Sequence, residues 1–201
     1  MIMNYPTFFK TRPTIKLQDP LQKFLGTFHN GIVEFTYLEI VKNAGHSCPD
    51  VSGAYLMTLK GLKALYKDEL PVRGEIKVSF NKNYTDEITA VMSDVISHIT
   101  GAKSKVGFQG VEDKFDRTNL LSYNDSFEGD VRFERVDNGK SVIVKYDHSS
   151  IPTHPKQDML MTKVVRGEAS QGEEIDFEVL WQRRVEQIFN HITELIEVKE
   201  F

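Results

Sequence analysis

Residues 44–56 read AGHSCPDVSGAYL and contain the single cysteine of the 201-residue chain. Cys48 lies two positions after His46 and directly before Pro49. Proline disfavours a helical conformation in the residue before it and suits the first position of a helix, so Cys48 is predicted to be a helix N-cap. The helix dipole and the unpaired backbone N–H groups at that position favour thiolate over thiol, whereas Asp50 opposes this effect.

His46 and Cys48 together indicate a metal or catalytic site. In an extended segment their side chains leave the same face of the backbone, so an imidazole nitrogen and a thiolate sulfur can reach one ion. This donor pair suits a divalent metal, zinc first and nickel or iron as further candidates. As catalytic residues, Cys48 would be nucleophile or ligand and His46 general base or ligand. Further ligands must come from elsewhere in the chain, from a neighbouring subunit or from water.

The same residues also have a purely structural interpretation. A cysteine at a helix start is often a small buried hydrophobe, and a histidine in a tight turn often satisfies a backbone carbonyl. Of the other histidines, His98 and His191 fall on predicted helices. His148 and His154 lie in a predicted loop from which they could reach a site. Spacing alone leaves these alternatives open.

Two amphipathic helices are predicted to position this turn. Apolar residues recur at helical spacing over 51–66, which predicts a helix of about 17 residues that ends near Asp68 because Pro71 follows. A second helix is predicted over 86–100, with Gly101 as its C-cap.

Alternating apolar and polar residues predict the strands. They are a strand over 74–80, short strands over 105–108 and 118–123, and a hairpin over 130–146 that turns at Asn138-Gly139. The helices and strands do not alternate strictly, so an α+β fold is favoured over a doubly wound sheet.

The two ends of the chain give weaker patterns. Residues 1–20 are predicted to be irregular, and a short helix is predicted near 35–42. Pro155 can open a short helix that runs to about Val165. Apolar residues spaced three and four apart over 177–195 predict a long C-terminal helix, whose apolar stripe must dock on the body or on a partner.

Composition and missing motifs disfavour several function classes. Basic and acidic residues are mixed and the net charge is −4, which argues against nucleic-acid binding. No window approaches the ~18 consecutive apolar residues of a membrane-spanning helix. The start lacks the pattern of a secretory signal, and one cysteine cannot form an internal disulfide, so a cytoplasmic location is expected. Absence of a P-loop, a dinucleotide glycine pattern and a Gly-x-Ser-x-Gly elbow disfavours phosphate cofactors and serine hydrolysis.

Separated blocks of the sequence carry a resemblance to a known family. Residues 45–49, GHSCP, followed by Gly53 and an amphipathic helix, resemble the Gly-His-x-Cys-Pro signature of the FmdE family, named for formylmethanofuran dehydrogenase. The block 86–107 resembles that family's Asp-x-Ile helix, its Thr-Gly-Cys-Thr turn and the following glycine. Residues 115–123 and the hairpin after them are similar to the next strands of the family. The segment 180–185, LWQRRV, is similar to a feature of a longer bacterial branch.

The resemblance implies an α+β core domain over 1–150, with a mixed or antiparallel sheet packed by helices. It further implies a C-terminal helical extension over 151–201 that packs on this core. A homodimer is implied, with a His/Cys cleft for a metal and a possible small-molecule ligand. The family is named for an operon neighbour of a molybdenum or tungsten enzyme of methanogens, so its name implies no reaction for this chain.

The chain departs from the family at the sulfur ligands. Asn83 stands where members commonly have a cysteine before the Asp-x-Ile helix, and Ala102 replaces the cysteine of the Thr-Gly-Cys turn. With Cys48 as the single sulfur, a mixed site with carboxylate or carboxamide ligands is expected. Asn83 and Asp86 are then the natural cofactor-binding candidates, although an acid at a helix start needs no function. The alternative is a non-catalytic binding or assembly subunit in which GHSCP is structural.

Overall fold

A computed structural model describes residues 5–201, and it has two β-sheets packed by helices, which confirms the expected α+β class. The strands are β1 (Ile15–Gln18), β2 (Ile32–Phe35), β3 (Ile76–Phe80), β4 (Leu121–Ser122), β5 (Val131–Arg135), β6 (Ser141–Tyr146) and β7 (Ile196–Glu200). The α-helices are α1 (Pro20–Phe24), α2 (Tyr37–Ala44), α3 (Pro49–Tyr66), α4 (Glu87–Thr100), α5 (Gln157–Val165), α6 (Gln171–Asn190) and α7 (Ile192–Leu195), and short 3₁₀ helices lie at Thr7–Thr11 and His29–Gly31.

The larger sheet has five strands in the order β4-β3-β5-β6-β7. β3 and β4 run parallel, and every other neighbouring pair in this sheet is antiparallel, so the sheet is mixed. β1 and β2 form a separate antiparallel pair in which Ile15 lies opposite Phe35. The predicted hairpin is confirmed as β5 and β6, and Gly139 takes the left-handed conformation (φ 73°) that its turn requires.

α3 and α4 pack against each other and begin at the same end of the larger sheet. The first turns of α3 lie against Tyr146 at the end of β6, since a Cβ on Gly53 would come within 2.2 Å of the Tyr146 ring. α4 follows Phe80, and the chain order and strand register place Phe80 at that same end. At the other end of α4, the N–H of Gly74 donates to the carbonyl of Thr100 over 2.8 Å.

A buried charge cluster joins the segments before β3 and after α4. The Asp19 carboxylate has no exposed surface and pairs with Arg73 at 2.9 Å and with Arg117 at 2.8 Å. Arg73 also donates to the carbonyl oxygens of His98 and Ile99 in the last turn of α4. Because both guanidinium groups depend on one carboxylate, Asp19 fixes how this part of the chain packs.

The C-terminal segment is not purely helical. Val185, Ile188 and Phe189 of α6 are buried in the core, so part of its apolar stripe docks on the body, as expected. β7, which the sequence analysis did not predict, pairs with β6 and places Val198 opposite Val144. β7 follows directly on a helix and is too short to show the alternation of apolar and polar residues that is typical of a strand. The proposed division at residue 150 stays a prediction.

Other boundaries differ from expectation for identifiable reasons. β1 lies within the segment predicted to be irregular. The strand has only four residues, of which Ile15 and Leu17 point inward, and this is too short an alternation to be recognised in the sequence. Residues 105–108 form no strand, since all four are exposed and have no core face to bury. Of 118–123 only the two residues of β4 are a strand. Across residues 5–201, no helix is both long and apolar enough to cross a membrane.

Candidate functional site

Cys48 is the N-cap of α3, as the sequence predicts. Its backbone is extended (φ −143°, ψ 173°), and its Sγ accepts a hydrogen bond from the N–H of Val51 at 3.4 Å. Pro49 occupies the first helical position. The Ser52 hydroxyl donates to the carbonyl oxygens of Cys48 and Pro49, both at 3.0 Å. The first turn of α3 is therefore held by its own side chains.

At Cys48 the helix start favours the thiolate, as expected, but burial opposes it. The side chain is only 8% exposed. This burial raises the pKa of the Cys48 thiol, and the backbone N–H groups of Val51 and Asp50 lower it less. The negative charge of Asp50 raises the pKa further, as the sequence analysis anticipated. Desolvation therefore outweighs the helix terminus here.

His46 lies in the exposed turn between α2 and α3. Gly45 closes α2 in the left-handed conformation (φ 77°). The Nδ1 of His46 is 3.0 Å from the carbonyl oxygen of Ala44, and because a carbonyl only accepts, Nδ1 carries the proton. In the neutral ring, Nε2 is then the nitrogen with the free electron pair, which is the arrangement that metal-binding histidines commonly have.

Ser47, between the two candidate residues, anchors α6. Its carbonyl oxygen accepts from the indole Nε1–H of Trp181 at 2.7 Å and from Gln182 Nε2 at 3.4 Å. Its hydroxyl donates to Gln182 Oε1 at 3.1 Å and lies 2.9 Å from the Tyr37 hydroxyl. The 45–49 turn is thus fixed against both α2 and α6.

Tyr146 and His148 cover the start of α3 from the sheet side. The Tyr146 hydroxyl donates to the carbonyl oxygen of Pro49 at 3.0 Å. Its ring stacks on that of His148 with centroids 5.3 Å apart and an interplanar angle of 13°. Burial raises the pKa of the Tyr146 hydroxyl above its ordinary range, so this group stays a hydrogen-bond donor at neutral pH.

Charged side chains from several parts of the fold act on Asp50. Burial raises the pKa of the Asp50 carboxyl and the negative charge of Glu87 adds to this rise, while the positive charges of His148, Arg184 and His46 oppose it. Burial and the charge of Arg184 lower the pKa of His148, and the negative charge of Asp50 opposes them. The structure therefore brings Asp50, His148 and Arg184 into the electrostatic neighbourhood of the turn.

Asn83 and Asp86 are occupied by local hydrogen bonds. Asp86 is the N-cap of α4 and accepts from the N–H and the hydroxyl of Thr89 at 3.0 and 2.9 Å. These bonds lower the pKa of the Asp86 carboxyl. Asn83 Oδ1 accepts from the N–H and the hydroxyl of Thr85, both at 3.0 Å. Neither side chain hydrogen-bonds to His46 or Cys48. The contacts with Thr85 and Thr89 account for the positions of Asn83 and Asp86 without a bound ligand, and the cofactor role of the two residues stays a prediction.

His, Cys, Asp and Glu side chains of the described residues do not gather into a complete metal site. Within residues 5–201 no group of three or more His, Cys, Asp or Glu side chains is close enough together to hold an ion. His46 and Cys48 fit the chemistry of a zinc ligand pair, and a complete site needs further ligands beside them.

Sequence reasoning missed the residues that surround the turn. Tyr146 falls in the predicted hairpin over 130–146 and Arg184 in the family-like segment 180–185, and neither pattern places these residues near the turn. One signal points to Tyr146, because Gly53 is a glycine inside a helix where the aromatic ring needs its space. No local pattern reveals that Arg184 lies near Asp50, since the two residues are far apart in the sequence and on different helices.

Comparison with known proteins adds no assignment: no protein-family model matches the chain, and no curated protein does.

Proposed function

We propose that the chain is an FmdE-like protein whose 45–49 turn binds a divalent metal through His46 and Cys48. Zinc is the first candidate and nickel or iron are further ones. The remaining positions would be taken by water, by a small-molecule ligand or by a second copy of the chain. The reaction is not assigned.

The observation that carries this proposal is the His46 Nδ1 hydrogen bond to the Ala44 carbonyl at 3.0 Å. It orients the ring and leaves Nε2 as the basic nitrogen, two residues from the chain's single sulfur. A bound metal deprotonates a ligating thiol. The burial that keeps the Cys48 thiol protonated therefore favours a role as metal ligand over a role as free nucleophile.

The surroundings of the turn support a ligand site. Asp50 and His148 are titratable groups whose pKa values are shifted by burial and by each other, which is common at functional sites. Asn83 and Asp86, just before α4, remain the proposed cofactor-binding residues of the second block. A cytoplasmic homodimer that binds a small molecule and no nucleic acid completes the proposal.

A second candidate function is a non-catalytic binding or assembly subunit, in which GHSCP is a structural turn. The side chains of residues 46–48 all hydrogen-bond inside the chain, and Cys48 caps α3. The Ser47 carbonyl also holds Trp181. On α6, Ile175 and Val179 are each 52% exposed, which leaves apolar surface for a partner.

Elemental analysis of untagged protein, with the native mass measured on the same sample, tests the proposal. We expect a stoichiometric divalent metal in the wild type and its loss in Cys48→Ser and His46→Ala. His29→Ala, at another exposed histidine, is the matched control and should keep the metal. Retention of full metal content by Cys48→Ser would place the metal elsewhere. A metal-free wild type that refuses added zinc would favour the structural turn.

A further inference from the structure

A groove beside the candidate site has the chemistry of an anion site. It runs between the loop at 150–155 and α6, and its volume is ≈ 610 Å³, within the ~300–1,000 Å³ of small-molecule sites. Arg183, Arg184, His154 and His191 line it, and none of its lining residues is acidic. The groove therefore collects basic side chains in a protein whose net charge is −4.

Arg184 is the central observation. Its Nε is buried and has no hydrogen-bond partner, although a buried donor of a charged group is costly to leave unpaired. Among the ion pairs of residues 5–201, Arg184 takes part in none. Arg135, by contrast, lines another groove but is paired with both Glu69 and Asp137. Arg184 is thus a guanidinium that the described chain leaves available.

The two histidines are held in defined tautomers. His154 Nδ1 accepts from the backbone N–H of Lys156 at 3.2 Å, so in the neutral ring Nε2 carries the proton and is a donor. His191 Nδ1 lies 2.9 Å from the carbonyl oxygen of Gln187, to which it must donate. In the neutral ring its Nε2 is then the nitrogen with the free electron pair.

Beside the basic groups, the groove has apolar residues and the uncharged polar residues Ser150, Thr153 and Gln187. Ile151, Pro152, Pro155 and Leu180 line it together with the basic groups. Guanidinium groups bind carboxylate and phosphate oxygens in fork geometry, and apolar walls accept a hydrocarbon portion. Inorganic anions alone would leave these walls uncovered.

We propose that this groove binds an organic anion, whose carboxylate or phosphate group is held by Arg184 with Arg183 and His154. The hydrocarbon part would lie on Ile151 and Leu180. This site is separate from the proposed metal site and stands without it. The charge of Arg184 nevertheless acts on Asp50 in the first turn of α3.

Titration of the full chain by NMR tests the proposal, with hexanoate, hexyl phosphate, inorganic phosphate and 1-hexanol as probes. We expect saturable binding of hexanoate or hexyl phosphate, with ring resonances of His154 and His191 shifting and those of His29 unchanged. The preferred headgroup identifies carboxylate or phosphate as the natural chemistry. Hexanol lacks the negative charge and inorganic phosphate lacks the hydrocarbon part, so each should bind at least about ten-fold more weakly.

Variants assign the binding to the groove. Arg184→Gln should lower the affinity for the anion at least about ten-fold, as expected for the loss of a charge-assisted hydrogen bond. His154→Ala changes only an exposed loop residue and should weaken it as well, which provides a test if Arg184→Gln does not fold. Arg166→Gln, an exposed arginine after α5, is the control and should bind normally. Absence of saturable binding by either anion, or equal binding by folded Arg184→Gln, would overturn the proposal. Metal content plays no part in these readouts.

Discussion

The indole Nε1–H of Trp181 donates to the carbonyl oxygen of Ser47 across 2.7 Å, joining α6 to the turn between the two candidate ligands. The residues are 134 positions apart in the sequence, and Gln182 adds a second contact to the same carbonyl. The backbone at His46 and Cys48 is therefore positioned by the C-terminal segment as well as by α2 and α3.

Replacing Trp181 by Phe should loosen this attachment. The variant removes the donor to the Ser47 carbonyl and should lower the free energy of unfolding by about 1 kcal/mol, the typical net value of one hydrogen bond. Urea unfolding measures the change. Val179→Ala, at an exposed position of the same helix, should change it by less than about 0.5 kcal/mol. Equal effects of the two substitutions would show that the hydrogen bond from the indole adds nothing to the free energy of unfolding.

Gly53 and Gly172 should respond oppositely to alanine. At Gly53 the new Cβ would meet the Tyr146 ring at 2.2 Å, whereas at Gly172 nothing lies within 4 Å. Overpacking should make Gly53→Ala less stable by about 1–3 kcal/mol. Gly172→Ala should gain up to about 1 kcal/mol, because glycine loses more chain entropy in a helix. Thermal melting of both variants checks this, and a stable Gly53→Ala would mean that Tyr146 does not pack there.

Acid sensitivity should depend on Asp19. Burial by itself raises the pKa of this carboxyl, but hydrogen bonds from Arg73, Gln22 and Arg117 outweigh it and lower the pKa below its ordinary value. Below about pH 4 the unfolded state therefore binds more protons, so the stabilisation is lost as the pH falls through the folded pKa.

Asp19→Asn removes that proton uptake and leaves Arg73 and Arg117 without their carboxylate. It should cost about 3–5 kcal/mol at pH 7 and flatten the acid limb of a stability-against-pH curve. Glu200→Gln, which breaks the exposed Lys67–Glu200 pair, should cost at most about 1 kcal/mol. An unchanged acid limb in Asp19→Asn would refute the role of this cluster.

The Cys48 thiol of metal-free protein should react slowly. Burial raises its pKa and shields the sulfur, so labelling by a disulfide reagent at pH 7 should be at least about ten-fold slower than in urea-unfolded chain. Because the chain has one cysteine, the signal is unambiguous. Labelling as fast as in the unfolded chain would instead show an exposed, activated nucleophile.

The sequence predicts best what is local and repeats. Pro49 defines the start of α3, Gly101 the end of α4 and Gly139 the turn of the hairpin, because each acts through its own backbone. β1 and β7 are too short to show a period, and they become strands only through pairing with distant residues.

The candidate site was predictable in its motif and not in its surroundings. His46 and Cys48 stand together in the sequence, but whether Cys48 is thiol or thiolate depends on burial, which tertiary packing decides. Tyr146 and Arg184 reach the same region from different elements, and no spacing encodes that meeting. The helix terminus lowers the pKa of the Cys48 thiol, and burial, which the sequence does not show, reverses the net direction.

The visible and near-ultraviolet absorption of protein loaded with Co²⁺ tests most directly whether Cys48 is a metal ligand. A thiolate bound to cobalt gives charge-transfer absorption that nitrogen and oxygen ligands do not give. We predict this absorption in the wild type, its loss in Cys48→Ser, and its retention in His29→Ala. A wild-type protein that binds Co²⁺ without thiolate absorption, or binds none, would contradict a metal site at His46 and Cys48.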